Sequence, residues 1–272
     1  MRRLVYSGPP HLQHNPLPRP IDSIDPIAPT RSGHPVSTTD VRPSPAAKGR
    51  SSLVVQLALP LVGAALLLLW LEGFGGNRAI ADALYAAEGH DWLLRDHVIT
   101  STLIHMGGKY LSEALWLAAF ATWWIASRVP AVTAIREPLS RLLLSTVVAT
   151  VLVSVLQPLF AMDCPWDIIG YGGSRPYLTL FEARPSGLHA AACFPSGHAS
   201  SGYCWIALYF FFADVAPRWR FRGLLFGLAL GFVFGLGQQL RGAHFASHDV
   251  ASLLVCWLSA LTLQWVWTRR RH

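Results

Sequence analysis

The sequence predicts an all-α, polytopic membrane protein: a six-transmembrane-helix bundle with its chemistry on external loops. Three observations predict it. Hydrophobic residues make up 52% of the 272 residues, and they gather in six runs, 53–71, 110–126, 142–162, 199–215, 224–237 and 250–267. Most of these approach the roughly 20 apolar residues that cross a hydrocarbon core, and charge is nearly absent inside them. Six spans with the N-terminus inside place 16 of the 22 Lys and Arg residues on the side that holds both termini, the bias that the positive-inside rule expects.

The formal charge of +7 is therefore mainly a topology signal. A nucleic-acid role would need a basic stripe interleaved with exposed aromatics, and the sequence has none. Residues 1–51 are rich in Pro, Ser and Arg and lack hydrophobic periodicity. They read as a disordered cytoplasmic tail ahead of a membrane domain at 52–272, first of all a solvated extension, with a protein partner for its extended Pro-rich geometry as the alternative. The run 53–71 then acts as an uncleaved first span.

Residues 72–109 form the first external segment. Trp92 suits the membrane interface, and 91–106 reads as an amphipathic surface helix. Lys109 stands just before the second span, where it either snorkels to headgroups or faces an anionic site. The connection 127–141 is short, basic and internal.

The second external segment, 163–194, has no helix or strand period, and its glycines and prolines describe a shaped loop. Within it, Arg175 offers a planar fork suited to phosphate oxygens. Cys164 and Cys193 bracket the loop on the external side, where an oxidising compartment would permit a disulfide. Cys204 and Cys256 fall within spans as small packing residues.

At the end of this loop, Pro195-Ser196-Gly197-His198 meets the fourth run. Glycine lets a ligand approach the backbone closely, Ser196 suits a helix start, and His198 can carry a proton. The third external connection, 238–249, holds Arg241, His244, His248 and Asp249. A histidine near a carboxylate can serve as an oriented nucleophile or base. The topology puts this cluster on the same face as Arg175 and His198.

Together, Pro195-Ser196-Gly197-His198, the upstream Arg175-Pro176 and the downstream Arg241, His244 and Asp249 resemble the membrane type 2 phosphatidic acid phosphatase superfamily over roughly residues 53–268. The resemblance implies a metal-independent, cofactor-free two-step phosphoryl transfer. His244 is the implied nucleophile, oriented by Asp249, and His198 the implied acid and later base. Ser196 and the Gly197 N–H are implied to hold phosphate oxygens, with Arg175 and Arg241 neutralising their charge. Three positions depart from the family pattern. Ile168 stands where the first motif has a lysine, leaving Lys109 or Arg184 to supply that charge. Gln238 replaces an arginine in the third motif, and His248 occupies the usual aspartate position, with Asp249 one residue later.

The expectation is a hydrolase acting on a lipid phosphate or diphosphate from the periplasmic face of a bacterial inner membrane. A phosphotransferase of the same fold, or an inactive lipid-binding or scaffold relative, would show the same motifs. An intramembrane serine protease using Ser196 fits less well, because Ser196 precedes its span.

Overall fold

The computed structural model describes residues 45–188 and 191–270, with side chains from Val54 onward. Most of the expected tail, and His189 within the long loop, lie outside the described residues. The compact unit runs over Ser44–His272, so the boundary expected at 51/52 falls inside the first helix.

Helix α1 (Pro45–Leu68) continues as a wide π-helical turn, Leu69–Gly73. A short external helix, α2 (Gly76–Ala87), follows. The surface helix expected at 91–106 is not a separate element. Its second half, Val98–Met106, is a π-helical stretch that runs unbroken into α3 (Gly107–Ala126). Helix α4 (Arg136–Phe160) carries Pro158 in its last turn and stops at Ala161, which takes a left-handed conformation.

The fourth apolar run is broken into α5 (Gly197–Tyr203), a 3-10 turn (Cys204–Ala207) and α6 (Leu208–Val215). The hydroxyls of Ser200 and Ser201 bond back to the carbonyls of Gly197 and His198 at 2.7 Å, a local bond that competes with the helical ladder. Helices α7 (Arg220–Leu240) and α8 (Ala246–Arg269) complete the bundle.

Among the described residues, four segments are long and apolar enough to cross a membrane: Val54–Gly73, Pro130–Asp167, Pro217–Leu240 and Ala246–Arg269. The other two expected spans are α3, which carries Lys109 and Glu113 near its start, and the broken segment 197–215. Large apolar side chains face outward along the bundle, with Leu159 72% and Leu225 65% exposed. In water such a surface would be an association patch; against lipid tails it is at home.

Packing brings α5 against α7, α4 against α8, and α1 against α8. Small residues make the first contact close. A Cβ at Gly227 would sit 2.2 Å from the Ile206 backbone, and one at Gly231 would sit 2.1 Å from the Tyr203 ring. The main core joins Leu139, Leu142, Tyr203, Trp205, Ile206 and Phe210 with Cys256 and Leu261. Both unpaired cysteines, Cys204 and Cys256, are buried there as small packing residues. At the end of the bundle opposite the long loop, Arg141 of α4 is paired with Asp214 of α6.

Candidate active site

Two helix starts are tied together where the 241–249 connection meets the Pro195-Ser196-Gly197-His198 stretch. Ser196 caps α5, its Oγ accepting from the Ala199 N–H at 3.2 Å. Its own N–H donates to the His248 carbonyl at 3.0 Å. The Ser252 hydroxyl is within hydrogen-bond distance of the carbonyls of both Ser196 and His248. Ser196 is fully buried, so its position is set by α8 as much as by its own helix.

The start of α8 is itself held from below. Asn77 accepts from the Ser247 N–H at 3.0 Å, and its amide lies within bonding distance of the Ser247 hydroxyl and of Glu72. An N–H in the first turn of a helix has no partner within the helix, so a side-chain acceptor there fixes both the start and its direction. Glu72 also takes the Leu180 N–H at 3.1 Å, which ties the long loop to the same network.

His244 lies between α7 and α8, half-buried, with its Nδ1 3.2 Å from Nδ1 of His248. The expected His244–Asp249 contact is not formed. Asp249 instead accepts from the Gln239 amide at 2.6 Å and has the Ser196 hydroxyl as its other polar neighbour. The reason is helical phase. His244 precedes α8, and the residue four positions on turns its side chain back toward it, whereas the residue five positions on points away. His248 is completely buried, and its Nε2, like Oδ1 of Asp249, has no hydrogen-bond partner among the described residues. Burial pushes the His244 imidazole down to about 4, partly opposed by a hydrogen bond to the Cys193 carbonyl; the charges of His198, His105 and Arg241 push it the same way as burial.

His198 has two ring neighbours. Phe234 of α7 stacks at 4.9 Å between centroids, and His105 lies at 4.6 Å. Its Nε2 is 3.3 Å from the Ile104 carbonyl. Arg241, expected as a phosphate cation, is engaged structurally: its Nε donates to the Arg95 carbonyl at 2.7 Å and Nη1 to Gln238 Oε1 at 3.2 Å. Burial lowers its pKa, and its charge still reaches His105, His198 and His244. The turn after it needs Gly242, whose φ of +68° and contact with Trp92, 2.4 Å from a would-be Cβ, exclude a side chain.

The long loop folds over these helix starts. Cys164 and Cys193 form a disulfide with a Cα–Cα distance of 5.5 Å, the pairing that the sequence permitted. The Trp166 N–H donates to the Gly242 carbonyl at 2.9 Å. Ile168, Tyr171, Trp92 and Phe245 pack as a small external core. Arg175 does not stand free. Buried Asp163 binds it through Nη1 and takes Arg184 at 2.8 and 2.9 Å. The hydrogen bond to Asp163 holds the Arg175 guanidinium above its usual range. Position 168, where a lysine was sought, is a buried isoleucine in that external core.

Lys109 lies at the start of α3, with its side chain 62% exposed and 3.9 Å from Glu113. It lines a cavity of about 480 Å³ that also takes in His105, Gly197, His198 and Ser201. A basic side chain, two histidines and an exposed backbone turn thus share one cavity that opens between α3, α4 and α5.

Residues 138–271 match the family model of the PAP2 superfamily. That segment belongs to the PAP2 superfamily. The match takes in Arg175, the 195–198 stretch, Arg241, His244 and Asp249, and it leaves α1 to α3 outside. No curated protein matches the chain. Among solved structures it is similar to the first transmembrane PAP2 type phosphatidylglycerolphosphate phosphatase from Bacillus subtilis, at 15% identity and a TM-score of 0.49, over 81% of this chain and 97% of that one. The chain that carries this PAP2 segment is a membrane protein by its apolar helices.

Sequence reasoning missed His105, Asn77 and Asp163 as parts of the site. His105 lay inside a segment read as a surface helix, and Asn77 in the first external segment, where no motif marks it. Asp163 had one available signal, its place beside Cys164 at the mouth of an arginine-bearing loop.

Proposed function

We propose that this chain is an integral-membrane phosphatase that hydrolyses a lipid phosphate or diphosphate, and does so through a phosphohistidine on His244. The observation that carries the reading is the half-buried His244 beside a buried His248, with His198 at the neighbouring helix start. His244 attacks phosphorus while His198 gives its proton to the leaving oxygen, so that no alkoxide is released bare. His198, now neutral, takes a proton from water, and the hydroxide so formed displaces the phosphohistidine. Each step moves one proton, and the pair returns to its starting state.

The Gly197 N–H holds a phosphate oxygen in this reading, whereas Ser196, expected to share that role, is fully buried with its hydroxyl and N–H engaged and positions the turn instead. Arg175, with Arg184 beside it, supplies positive charge from the long loop, and Lys109 and Arg241 supply it from the α3 side. Fixed positive groups stabilise the charge that spreads over the phosphoryl oxygens in transfer. Asp249 acts on Ser196 and Gln239 rather than on the nucleophile.

The site opens toward the periplasm of a bacterial inner membrane, with both termini cytoplasmic and six crossings, counting α3 and segment 197–215. The distribution of Lys and Arg supports this orientation, and a Cys164–Cys193 bridge on the site's own face fits an oxidising compartment.

The test is phosphate release by the purified protein across lipid monophosphates and diphosphates, beside His244→Ala and His198→Ala. Turnover by the unaltered chain, lost in both variants, with acid-labile and alkali-stable labelling of the unaltered chain alone, is the expected result. Turnover retained by His244→Ala would overturn it. Transfer of label to a second lipid in place of water would make the protein a phosphotransferase of the same chemistry.

A further inference from the structure

One histidine in the site has no role in the reaction as described so far. His105, at the end of the π-helical stretch before α3, has its ring 4.6 Å from that of His198, tilted by 48°. Its Nδ1 is 2.9 Å from the Gln238 amide nitrogen. Gln238 is buried, and its amide orientation is fixed from the other side, because Arg241 can only donate and does so to Oε1. The amide NH₂ therefore faces His105 and donates to Nδ1. That ring nitrogen is an acceptor, and the proton of the neutral His105 ring sits on Nε2.

The same segment also fixes His198. The Ile104 carbonyl can only accept, so the 3.3 Å contact to His198 Nε2 places a proton there and leaves Nδ1 of His198 to take up the second one. Close packing holds the segment in place. A Cβ on Gly237 would meet Ile104 at 2.6 Å, and one on Gly108 would meet Phe234 at 2.6 Å. The two faces of contact, Phe234 and His105, restrict rotation of the His198 ring between them.

We infer that His105, oriented by Gln238 and Arg241, is a positioning residue that keeps the His198 ring aimed for proton transfer to the leaving group. A charged His105 would repel the imidazolium that His198 must become, and the amide donated to Nδ1 opposes that charge. The charged groups facing His105 act in the same direction: Arg241 from the turn after α7 and Lys109 from α3 lower its pKa alongside burial. Lys109 is itself paired with Glu113, and His198 and His244 are the other titratable groups whose charge His105 meets.

This inference rests on the phosphatase reading, and a leaving-group comparison separates the two. A group that serves proton donation matters for a poor leaving group and little for a good one. In the full-length protein, His105→Ala is expected to lower kcat on an alkyl lipid phosphate about tenfold or more, with KM within about twofold. On p-nitrophenyl phosphate the same variant keeps kcat within about threefold. His105→Phe, which restores an uncharged ring face, recovers most of the loss. Equal losses on both substrates would mean a merely structural role and overturn the inference, as would no loss on either. Should His105→Ala fail to fold, Gln238→Leu leaves the ring in place and removes its anchor. A selective loss on the alkyl substrate is expected there too, and unchanged kinetics would overturn the inference. Absence of turnover by the unaltered protein would overturn the phosphatase reading itself, and this inference with it.

Discussion

His244 and His248 meet through their Nδ1 atoms at 3.2 Å, so a hydrogen bond between them needs one proton on the line between two nitrogens. If His244 is to attack with Nε2, its Nδ1 must hold that proton and His248 must accept it. A neutral imidazole thus does the orienting that a carboxylate does in a histidine–aspartate pair. The Cys193 carbonyl is a second acceptor for the His244 proton, so removing His248 loosens the tautomer rather than freeing it, and His248→Ala is expected to lower kcat on the order of tenfold or more. His248→Asp supplies a charged acceptor at the same position and should retain much more activity. Asp249→Asn should cost less than His248→Ala, since Asp249 binds Gln239 and not the nucleophile. Steady-state kinetics of the three variants check the order, and a larger loss in Asp249→Asn would reverse the assignment.

The pH dependence of the first chemical step follows from where His244 sits. Burial holds it near a pKa of about 4, whereas a free histidine titrates near 6.5. In the proposed mechanism the neutral form attacks, so the competent form persists from neutral pH down toward 5 and is lost only as pH falls through about 4. With p-nitrophenyl phosphate, whose good leaving group needs no proton from His198, rapid-quench labelling of the phosphoenzyme between pH 4 and 8 should show a first step that is flat across pH 6.5. The same shift has a sign for stability. A histidine kept neutral by the fold stabilises it fully above the unfolded value, and that contribution disappears as pH falls through the folded one. Unfolding in detergent should therefore become easier below about pH 6, and a midpoint unchanged down to pH 4 would contradict the burial argument.

Asp163 is the hinge of the long loop's electrostatics. Its side chain is 3% exposed and it binds both Arg175 and Arg184. Removing a buried acceptor from a charged pair leaves the donors unsatisfied, at a cost of about 1–3 kcal/mol. Asp163→Ala is expected to lower the unfolding temperature and raise KM severalfold, because two arginines lose their common anchor. Arg184→Ala removes one partner and leaves Arg175 bound, and should shift both quantities less. Differential scanning fluorimetry and substrate titration on the two variants test that order.

The apolar runs carried the architecture into the sequence plainly, because a hydrocarbon core demands length and excludes charge whatever the contacts are. The motif residues were legible for a related reason: Pro, Ser, Gly and His at a polar–apolar junction have few other uses. Register across elements was not legible. Whether His248 or Asp249 faces His244 depends on the residue at which α8 begins, and that is set by Asn77, which lies 170 positions away from Ser247. His105 was hidden by the same cause, since its neighbours Gln238 and His198 come from elements far along the chain. Arg175 was found but its partner was not, because an acid next to a cysteine has no periodic signature. The break of the fourth run at Cys204–Ala207 also escaped, since composition there is uniformly apolar and only the serine hydroxyls compete with the helix.

The disulfide closes a loop with a sequence separation of 29 residues, which in a chain-entropy account is a stabilisation of about 3–4 kcal/mol. Its effect on the site follows from what lies on either side of it. Cys164 adjoins Asp163, the anchor of two arginines, and Cys193 precedes the 195–198 stretch and offers its carbonyl to His244. Opening the bridge therefore loosens Arg175, Arg184 and His244 together. Cys164→Ser and Cys193→Ser should each lower the unfolding temperature and cut kcat/KM, and the double variant should cost no more than either single one, because both remove the same covalent bond. Two single losses that add in the double variant would show that each thiol acts separately. Alkylation of the unreduced protein should modify neither Cys164 nor Cys193, and both should react once a reductant has opened the loop.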